Sequence, residues 1–333
     1  MPAASTPAFP VPIVVLMPVY NDWEAAAAVV QALDRGFARI PGAQVSILFV
    51  DDWSSTSAEP VAFAGPRQSL ESIEVLRLKR NVGSQRAIAI GLAYLYDRGD
   101  TAAVLVMDSD GEDKPEDAAT LVEHYLTDSG NAIFAERRRR FEGAGFALGY
   151  HLYRLVHWLL TGISVRIGNF SILPRTAAGA IVLTGESWSH YAASAVKARI
   201  PMTRLPLDRG RRIAGQSRMT LIGLVIHGLS AISVFREVVG TRLIIASVIA
   251  STIGCGLVGT LGVLIFVHRI PFDRLTATLL LLTILAMAQG VVACFAIAFS
   301  VLAGNVSAPI GPGRDYRTFV ESVTALSAAR AAG

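Results

Sequence analysis

Two stretches without a single charge dominate the last third of the chain: Leu243–Val267, and Ala277–Ala303 with Gln289 as its most polar member. A helix needs about 20 predominantly apolar residues to cross the hydrocarbon core of a bilayer, and both runs exceed that. A soluble core helix of this length and polarity is disfavoured. The short connection His268–Arg274 joins the two into a helical hairpin whose ends lie on one side. Whole-chain figures agree: 52% of residues are hydrophobic and 17% charged, with mean hydropathy +0.48, whereas soluble domains carry about 25% charged residues. That balance excludes a disordered chain.

Arginine sets the expected orientation. Arg204, Arg209, Arg211, Arg212, Arg218, Arg236 and Arg242 precede the first run, Arg314 and Arg317 follow the second, and the connecting loop holds only Arg269 and Arg274. The positive-inside rule then places residues 1–218 and the tail 305–333 in the cytoplasm, with 242–304 crossing the inner or plasma membrane twice. No signal peptide is expected. Residues 1–12 lack a basic n-region, and Ile13–Met17 is too short for an h-region. In Met219–Val239, Thr220, Gly223, His227, Ser230, Ser233 and Glu237 recur every three or four positions. The spacing predicts an amphipathic helix over 219–241 lying in the membrane interface, with a third span or a buried core helix as rivals. Phe146–Leu160, with Tyr150, His151, Arg154, His157 and Trp158, suits either a headgroup layer or a plain domain helix.

The first 218 residues alternate between two periodicities. Ile13–Met17, Val45–Val50, Glu74–Leu78, Ala102–Met107 and Ala132–Ala135 read as buried strands, and Asp22–Ala38, Ser84–Tyr96 and Pro115–Leu126 as helices. Alternating strand and helix predicts an α/β domain with a mostly parallel sheet, and ligands of such sheets sit beyond the carboxyl ends of the strands. Pro18–Asp22, Asp51–Ser55, Asn81–Gly83 and Asp108–Asp113 fall there. In Asp108-Ser109-Asp110 two carboxylates stand at the edge of a buried strand. Their repulsion is relieved by a divalent cation, and Mg2+ or Mn2+ takes such oxygens together with substrate phosphates. Glu112 or Asp113 can add a ligand. Asp51-Asp52 reads either as a turn or cap made with Ser54, Ser55 and Thr56 or as a carboxylate that recognises a base or ribose.

The net charge is +4, and Lys79, Lys114 and Lys197 are the only lysines. Arginine grips phosphate in a bidentate fork, so the charge suits a phosphorylated substrate, anionic lipid or nucleic acid. Nucleic acid is disfavoured, because the basic residues flank the apolar runs without an aromatic binding platform. Cys255 and Cys294 lie within those runs, so neither a disulfide framework nor a zinc site is indicated. Neither G-x-x-x-x-G-K-[ST] nor G-x-G-x-x-G follows the first strand, which argues against P-loop and dinucleotide enzymes.

The ordered set P-V-Y-N-D (Pro18–Asp22), D-D-W-S-S (Asp51–Ser55), N-V-G-S-Q-R-A-x-x-x-G (Asn81–Gly91), M-D-S-D-G-E-D-K-P-E (Met107–Glu116) and R-x-x-R-x-x-G-Q-S-R (Arg209–Arg218) resembles the family 2 glycosyltransferases. Within them it is similar to the polyprenyl-phosphate sugar transferases, of the dolichol-phosphate mannose synthase and bacterial GtrB types. The resemblance implies a GT-A fold, a nucleotide-diphosphate sugar donor, and inverting transfer to a polyprenyl phosphate in the lipid bilayer. Matched by position, it implies that Pro18, Tyr20, Asn21 and Asp22 line the nucleotide pocket together with Asn81 and Gly83. Asp52, with Asp51, would contact the base. Asp108 and Asp110 would hold Mg2+ or Mn2+ with Glu112 as a third ligand, Arg137 would face the acceptor phosphate, and Arg209, Arg212 and Ser217 would close over the diphosphate. Trp53 departs from the small Gly usual in this turn, Arg218 replaces a Lys, and Gly168–Arg175 matches the G-x-F-R-L-x-x-R pattern only loosely. The absence of Q-x-x-R-W argues against a processive synthase. Two other readings stay open: transfer to a glycolipid hydroxyl, which needs a base such as Asp208, Glu186 or His190, and a non-catalytic membrane scaffold. Assembly into homo-oligomers is left open by the sequence.

Overall fold

The computed structural model describes residues 11–41, 43–127, 130–137, 144–163, 167–213, 221–268, 273–306 and 311–327. They divide into two compact units. One comprises Met1–Ala147, Val165–Val234 and Ile310–Gly333, the other Leu148–Ser164 and Phe235–Pro309.

The first unit is built on one eight-stranded sheet: β1 (Val11–Val19), β2 (Ala43–Asp51), β3 (Leu70–Leu78), β4 (Ala103–Val106), β5 (Ala132–Arg137), β6 (Ile167–Pro174), β7 (Met202–Leu207) and β8 (Val320–Ser327). Their spatial order is β7-β5-β6-β4-β1-β2-β3-β8. The centre is parallel, with β1 between β4 and β2 and Val19 in register with Asp51. The sheet is mixed overall. β6 runs against both β4 and β5, and β8 runs against β3, placing Val75 opposite Thr324. The five expected strands are present, four of them extended by a few residues and β4 shortened by one at each end, and β6, β7 and β8 are additional. The segment 305–333, expected to be a cytoplasmic tail, therefore supplies an edge strand of the sheet.

Around the sheet lie α1 (Trp23–Phe37), α2 (Ser84–Arg98), α3 (Pro115–Thr127), α5 (Arg175–Val182) and α6 (Tyr191–Lys197); α7 (Leu221–Ser233) belongs to the same unit, and α4 (Ala144–Thr161) enters the second unit at Leu148. Period-two alternation sends successive strand residues to opposite faces. Val15, Met17, Ile47, Phe49 and Leu105 meet Val29 and Leu33 of α1 and Leu121 of α3, while Leu16, Leu48, Val50, Val104 and Val106 meet Ile88 and Leu92 of α2. At Gly91 a Cβ would strike the Leu16 side chain and come within 2.8 Å of Val50. That glycine lets α2 settle directly on the sheet.

The second unit pairs two helices of 33 residues, α8 (Arg236–His268) and α9 (Arg274–Val306). They touch closely where Gly254 meets Met287. Arg242 of α8 donates to the Leu159 carbonyl at 2.9 Å, satisfying an otherwise orphan end of α4. Most of the remaining apolar surface is open: Ile245, Ile249, Ile253 and Leu257 on α8 and Leu281, Leu285, Val292 and Phe299 on α9 are all exposed. Both helices are long and apolar enough to cross a membrane. The single helix expected over 219–241 is instead two. The α7 helix ends at Ser233, and residues 236–241 form the first turns of α8. On α7 the outward face is the apolar one, Ile222, Val225, Ile226 and Leu229, whereas Gly228, Ala231 and Ile232 are buried. The half-buried His227 lies with its ring centroid 4.6 Å from that of His190.

Candidate active site

Each loop at the carboxyl edge of β4, β1 and β2 begins where an apolar run meets residues that bond to backbone. After β4, Asp113 is buried and accepts from the Asp108 N–H at 2.9 Å, while Asp110 accepts from the Glu112 N–H at 2.9 Å. This coils Asp108–Asp113 into a tight turn. Gly111 sits at φ 84°, a left-handed conformation that favours glycine, and a Cβ there would meet Ile213 at 2.5 Å. The Ser109 hydroxyl donates to the Pro18 carbonyl at 2.9 Å, tying this turn to the end of β1.

The β1 and β2 ends are joined through Asn21. Its backbone N–H donates to the Ser54 hydroxyl at 2.8 Å, and its side-chain oxygen accepts from the backbone N–H groups of Ser55 at 2.8 Å and Thr56 at 3.2 Å. Asp51 accepts from the Ser54 N–H at 2.8 Å and pairs with Arg77 at 3.0 Å. Arg77 also reaches Glu321 of β8 at 3.1 Å. Asp52 accepts from the N–H groups of Val82 (2.6 Å) and Gly83 (2.8 Å), and Asn81 donates to the Asp52 carbonyl at 3.1 Å. Burial pushes the Asp52 carboxyl up to about 6, against the pull of those two N–H donors. Both carboxylates are almost wholly buried and turned to protein donors. They hold the loops in shape.

The segment after β7 lies across the acidic turn. The Gly210 N–H donates to the Glu112 carbonyl at 2.8 Å and the Ile213 N–H to the Asp110 carbonyl at 3.0 Å. Arg209 pairs with Glu112. Arg212 pairs with Asp22 at 2.6 Å and with Asp110 at 3.5 Å. The structure thus brings Asp22, Asp110, Glu112, Arg209 and Arg212 together, with Pro18 and Asp108 beside them. Arg137 closes β5 opposite Leu207, but its side chain, like Arg138–Arg140, Ser217 and Arg218, falls outside the described residues. The carboxylate oxygens are hard donors of the kind that Mg2+ and Mn2+ take, so the donor set fits such an ion. Among the described residues no three such side chains are gathered as a metal cage, and the guanidinium groups supply the counter-charge. Arg77 and Asp113 are the members of this network to which sequence reasoning gave no positioning role. Their partners lie on other loops or strands, or are backbone groups, and no spacing rule reveals them.

Of the three bases considered for a hydroxyl acceptor, Glu186 is held by Lys197 at 2.6 Å and His190 caps α6 by accepting from the Ala193 N–H. Asp208 is exposed at the end of β7.

Among solved structures the chain is similar to TarS of S. aureus, with 12% identity and TM-score 0.39 over 70% of this chain and 65% of that one, just under two thirds of its length. It is also similar to glucosyl-3-phosphoglycerate synthase from Mycobacterium tuberculosis, solved in complex with Mn2+ and UDP-glucose, with 17% identity and TM-score 0.47 over 69% of this chain and 79% of that one. Identities this low transfer no substrate. No curated protein matches the chain. The profile described as Glycosyl transferase family 2 matches residues 14–181. That is half of the chain and takes in the β1, β2 and β4 loops, and the chain belongs to this family.

Proposed function

We propose that this chain is a membrane-bound inverting glycosyltransferase that moves a monosaccharide from a nucleotide-diphosphate sugar to a polyprenyl phosphate. The observation that carries the reading is the pairing of Arg209 and Arg212 with Glu112, Asp110 and Asp22 at the edge of β4 and β1. Acid and guanidinium stand where a diphosphate and its counter-ion would exchange partners with them. A Mg2+ or Mn2+ ion bound at Asp108, Asp110 and Glu112 would supply positive charge to the leaving diphosphate. Arg209 and Arg212, displaced from the carboxylates, would turn to the same diphosphate and stabilise it electrostatically. Ser217 and the segment around it would complete that closure. Pro18, Tyr20, Asn21 and Asp22 would line the nucleotide pocket, shaped by Asp51, Asp52, Asn81 and Gly83.

A phosphate acceptor is already charged near neutrality, since its second pKa is about 6, and attacks the anomeric carbon without a strong base. Arg137 would orient it. The engagement of Glu186 and His190 with protein groups favours this acceptor over a hydroxyl. The α8–α9 hairpin would cross the inner or plasma membrane, with the sheet unit on the cytoplasmic side that the flanking arginines favour. Supporting this, only 6% and 0% of the residues in the most apolar 18-residue stretch of each helix are buried within the protein, where a soluble core helix would be mostly covered. The apolar face of α7 suits the interfacial layer.

The test is a screen of radiolabelled nucleotide sugars with a polyprenyl phosphate and Mg2+ or Mn2+, scoring label in the lipid phase. Chelator-sensitive transfer to the phosphate is expected. Label passing only to hydroxyl acceptors, or none at all with any donor, would overturn the proposal.

A further inference from the structure

We infer that Trp53 is a specificity residue of the donor site, its indole stacking on the nucleobase of a nucleoside diphosphate. The inference deepens the proposed reading and rests on it. Among the described residues only three non-glycine residues have positive φ: Asn21 (55°), Trp53 (65°) and Arg199 (53°). Two of these stand on the stapled loops at the ends of β1 and β2. Asn tolerates that conformation and uses it here to bond Ser55 and Thr56. For a bulky residue it is an outlier, and such outliers gather at ligand sites where the surroundings hold them in place.

The surroundings of Trp53 do hold it. Asp51, Asp52 and Ser54 on either side are buried at 1–3% exposure, while Trp53 is 52% exposed. The Asp52 N–H donates to the Val19 carbonyl at 2.9 Å and the Ser54 N–H to Asp51 at 2.8 Å. An anchored backbone therefore presents a free ring at low conformational cost. Packing does not account for this. Trp23 shows what a structural tryptophan does in this fold: it is buried, donates its indole N–H to Thr56 at 2.9 Å and packs edge-on against Phe49 and Phe63. Among the described residues nothing comparable engages the Trp53 ring.

Position identifies the ligand part. The acidic turn and its arginines follow β4, and Trp53 follows β2, two strands away across β1. Neighbouring strands lie about 4.8 Å apart, so a diphosphate held at the β4 turn reaches the β2 end with its nucleoside. An aromatic plane there meets the base, which every nucleotide offers as a stacking face.

The full-length protein in detergent, with Mn2+, is titrated with uridine diphosphate, guanosine diphosphate and inorganic pyrophosphate. Wild type is compared with Trp53→Gly and Trp53→Phe, reading Kd by calorimetry and Tm by thermal denaturation. Glycine enters positive φ freely, so Trp53→Gly is expected to raise Tm, while the lost stack weakens the preferred nucleoside diphosphate roughly 5- to 100-fold. Pyrophosphate, which has no base, is expected to bind unchanged, and Trp53→Phe to retain most of the affinity. Unchanged nucleotide affinity in Trp53→Gly overturns the inference. So does a parallel loss of nucleotide and pyrophosphate binding with a lowered Tm, which marks a structural role. If wild type binds neither nucleoside diphosphate better than pyrophosphate, the donor reading itself fails and this inference with it.

Discussion

Replacing Arg212 with Gln separates the two duties its geometry gives it. The side chain is 17% exposed and lies between Asp22, 21% exposed at 2.6 Å, and Asp110, 16% exposed at 3.5 Å. A charged hydrogen bond of the first kind contributes about 1.5–3 kcal/mol. The longer contact to Asp110, partly screened by solvent, contributes about 0.5–1 kcal/mol. Arg212→Gln should therefore destabilise the fold by about 2 kcal/mol, mostly through Asp22. Releasing Asp110 from its guanidinium partner should at the same time tighten Mn2+ binding to the nucleotide-free protein by roughly twofold to fivefold. On the proposed reading, in which Arg212 turns to the leaving diphosphate, loss of this donor should lower turnover by about 100- to 1,000-fold. Titration of Mn2+ followed by electron paramagnetic resonance reads the metal effect without any dependence on activity. Asp22→Asn provides the opposite sign: freed from its shorter partner, Arg212 turns wholly to Asp110 and Mn2+ binding weakens. Unchanged or weaker Mn2+ affinity in Arg212→Gln, with turnover intact, would refute the reasoning.

Asp52, with a carboxyl raised to about 6 by burial, should give activity an acid limb near that pH, because protonation weakens its hold on Val82 and Gly83. Its effect on stability has the other sign. A folded-state pKa above the unfolded value stabilises the fold fully below pH 4, and that contribution, about 3 kcal/mol, is lost as pH rises through 6. Asp52→Asn should flatten both profiles in activity assays and urea titrations. Gly91→Ala should cost about 1–2 kcal/mol in urea unfolding, since overpacking against Leu16 and Val50 outweighs the gain in helix propensity. Deleting residues 319–333 removes β8 and the Glu321 partner of Arg77. The product should still resist alkaline extraction from membranes, but should show a lowered Tm and aggregate through the bared edge of β3.

What the sequence made legible were features with a local signature. The apolar runs of β1, β2 and β4, each stopped by a polar cluster, marked both the strands and the edge where the loops gather. The two long uncharged runs marked α8 and α9. Less legible was anything decided by a distant partner. Asp51 and Asp52 look like ligand-facing acids in one dimension, yet Arg77, twenty-six residues on from Asp51, and the Val82–Gly83 backbone turn them inward. The Thr220–Glu237 periodicity gave no sign of the break after Ser233. Nor did it show that the apolar face of α7 points outward, because the half-buried contact of His227 with His190 joins residues 37 positions apart. β8 has only weak alternation, V-E-S-V-T-A-L-S, and its identity as a strand depends on β3 having an open edge.

That edge strand also limits how many times the chain can cross a bilayer. β3 precedes every apolar helix in sequence and β8 follows all of them, yet the two are hydrogen-bonded neighbours, with Val75 opposite Thr324 and Leu76 opposite Val323. A hydrogen-bonded ladder cannot straddle a membrane, so the number of crossings between residues 78 and 320 must be even. On the proposed reading, in which α8 and α9 both span, α7 is barred from being a third span. Its length agrees: 13 residues rise about 20 Å, short of the roughly 30 Å hydrocarbon core. The exposed row Ile222, Val225, Ile226 and Leu229 is then left to lie along a surface rather than cross it. The same argument has consequences for engineering: excising α8 or α9 alone would place β8 and β3 on opposite sides of the membrane, so such a variant should lose the β3–β8 ladder. Removing both helices with a linker in their place should restore it.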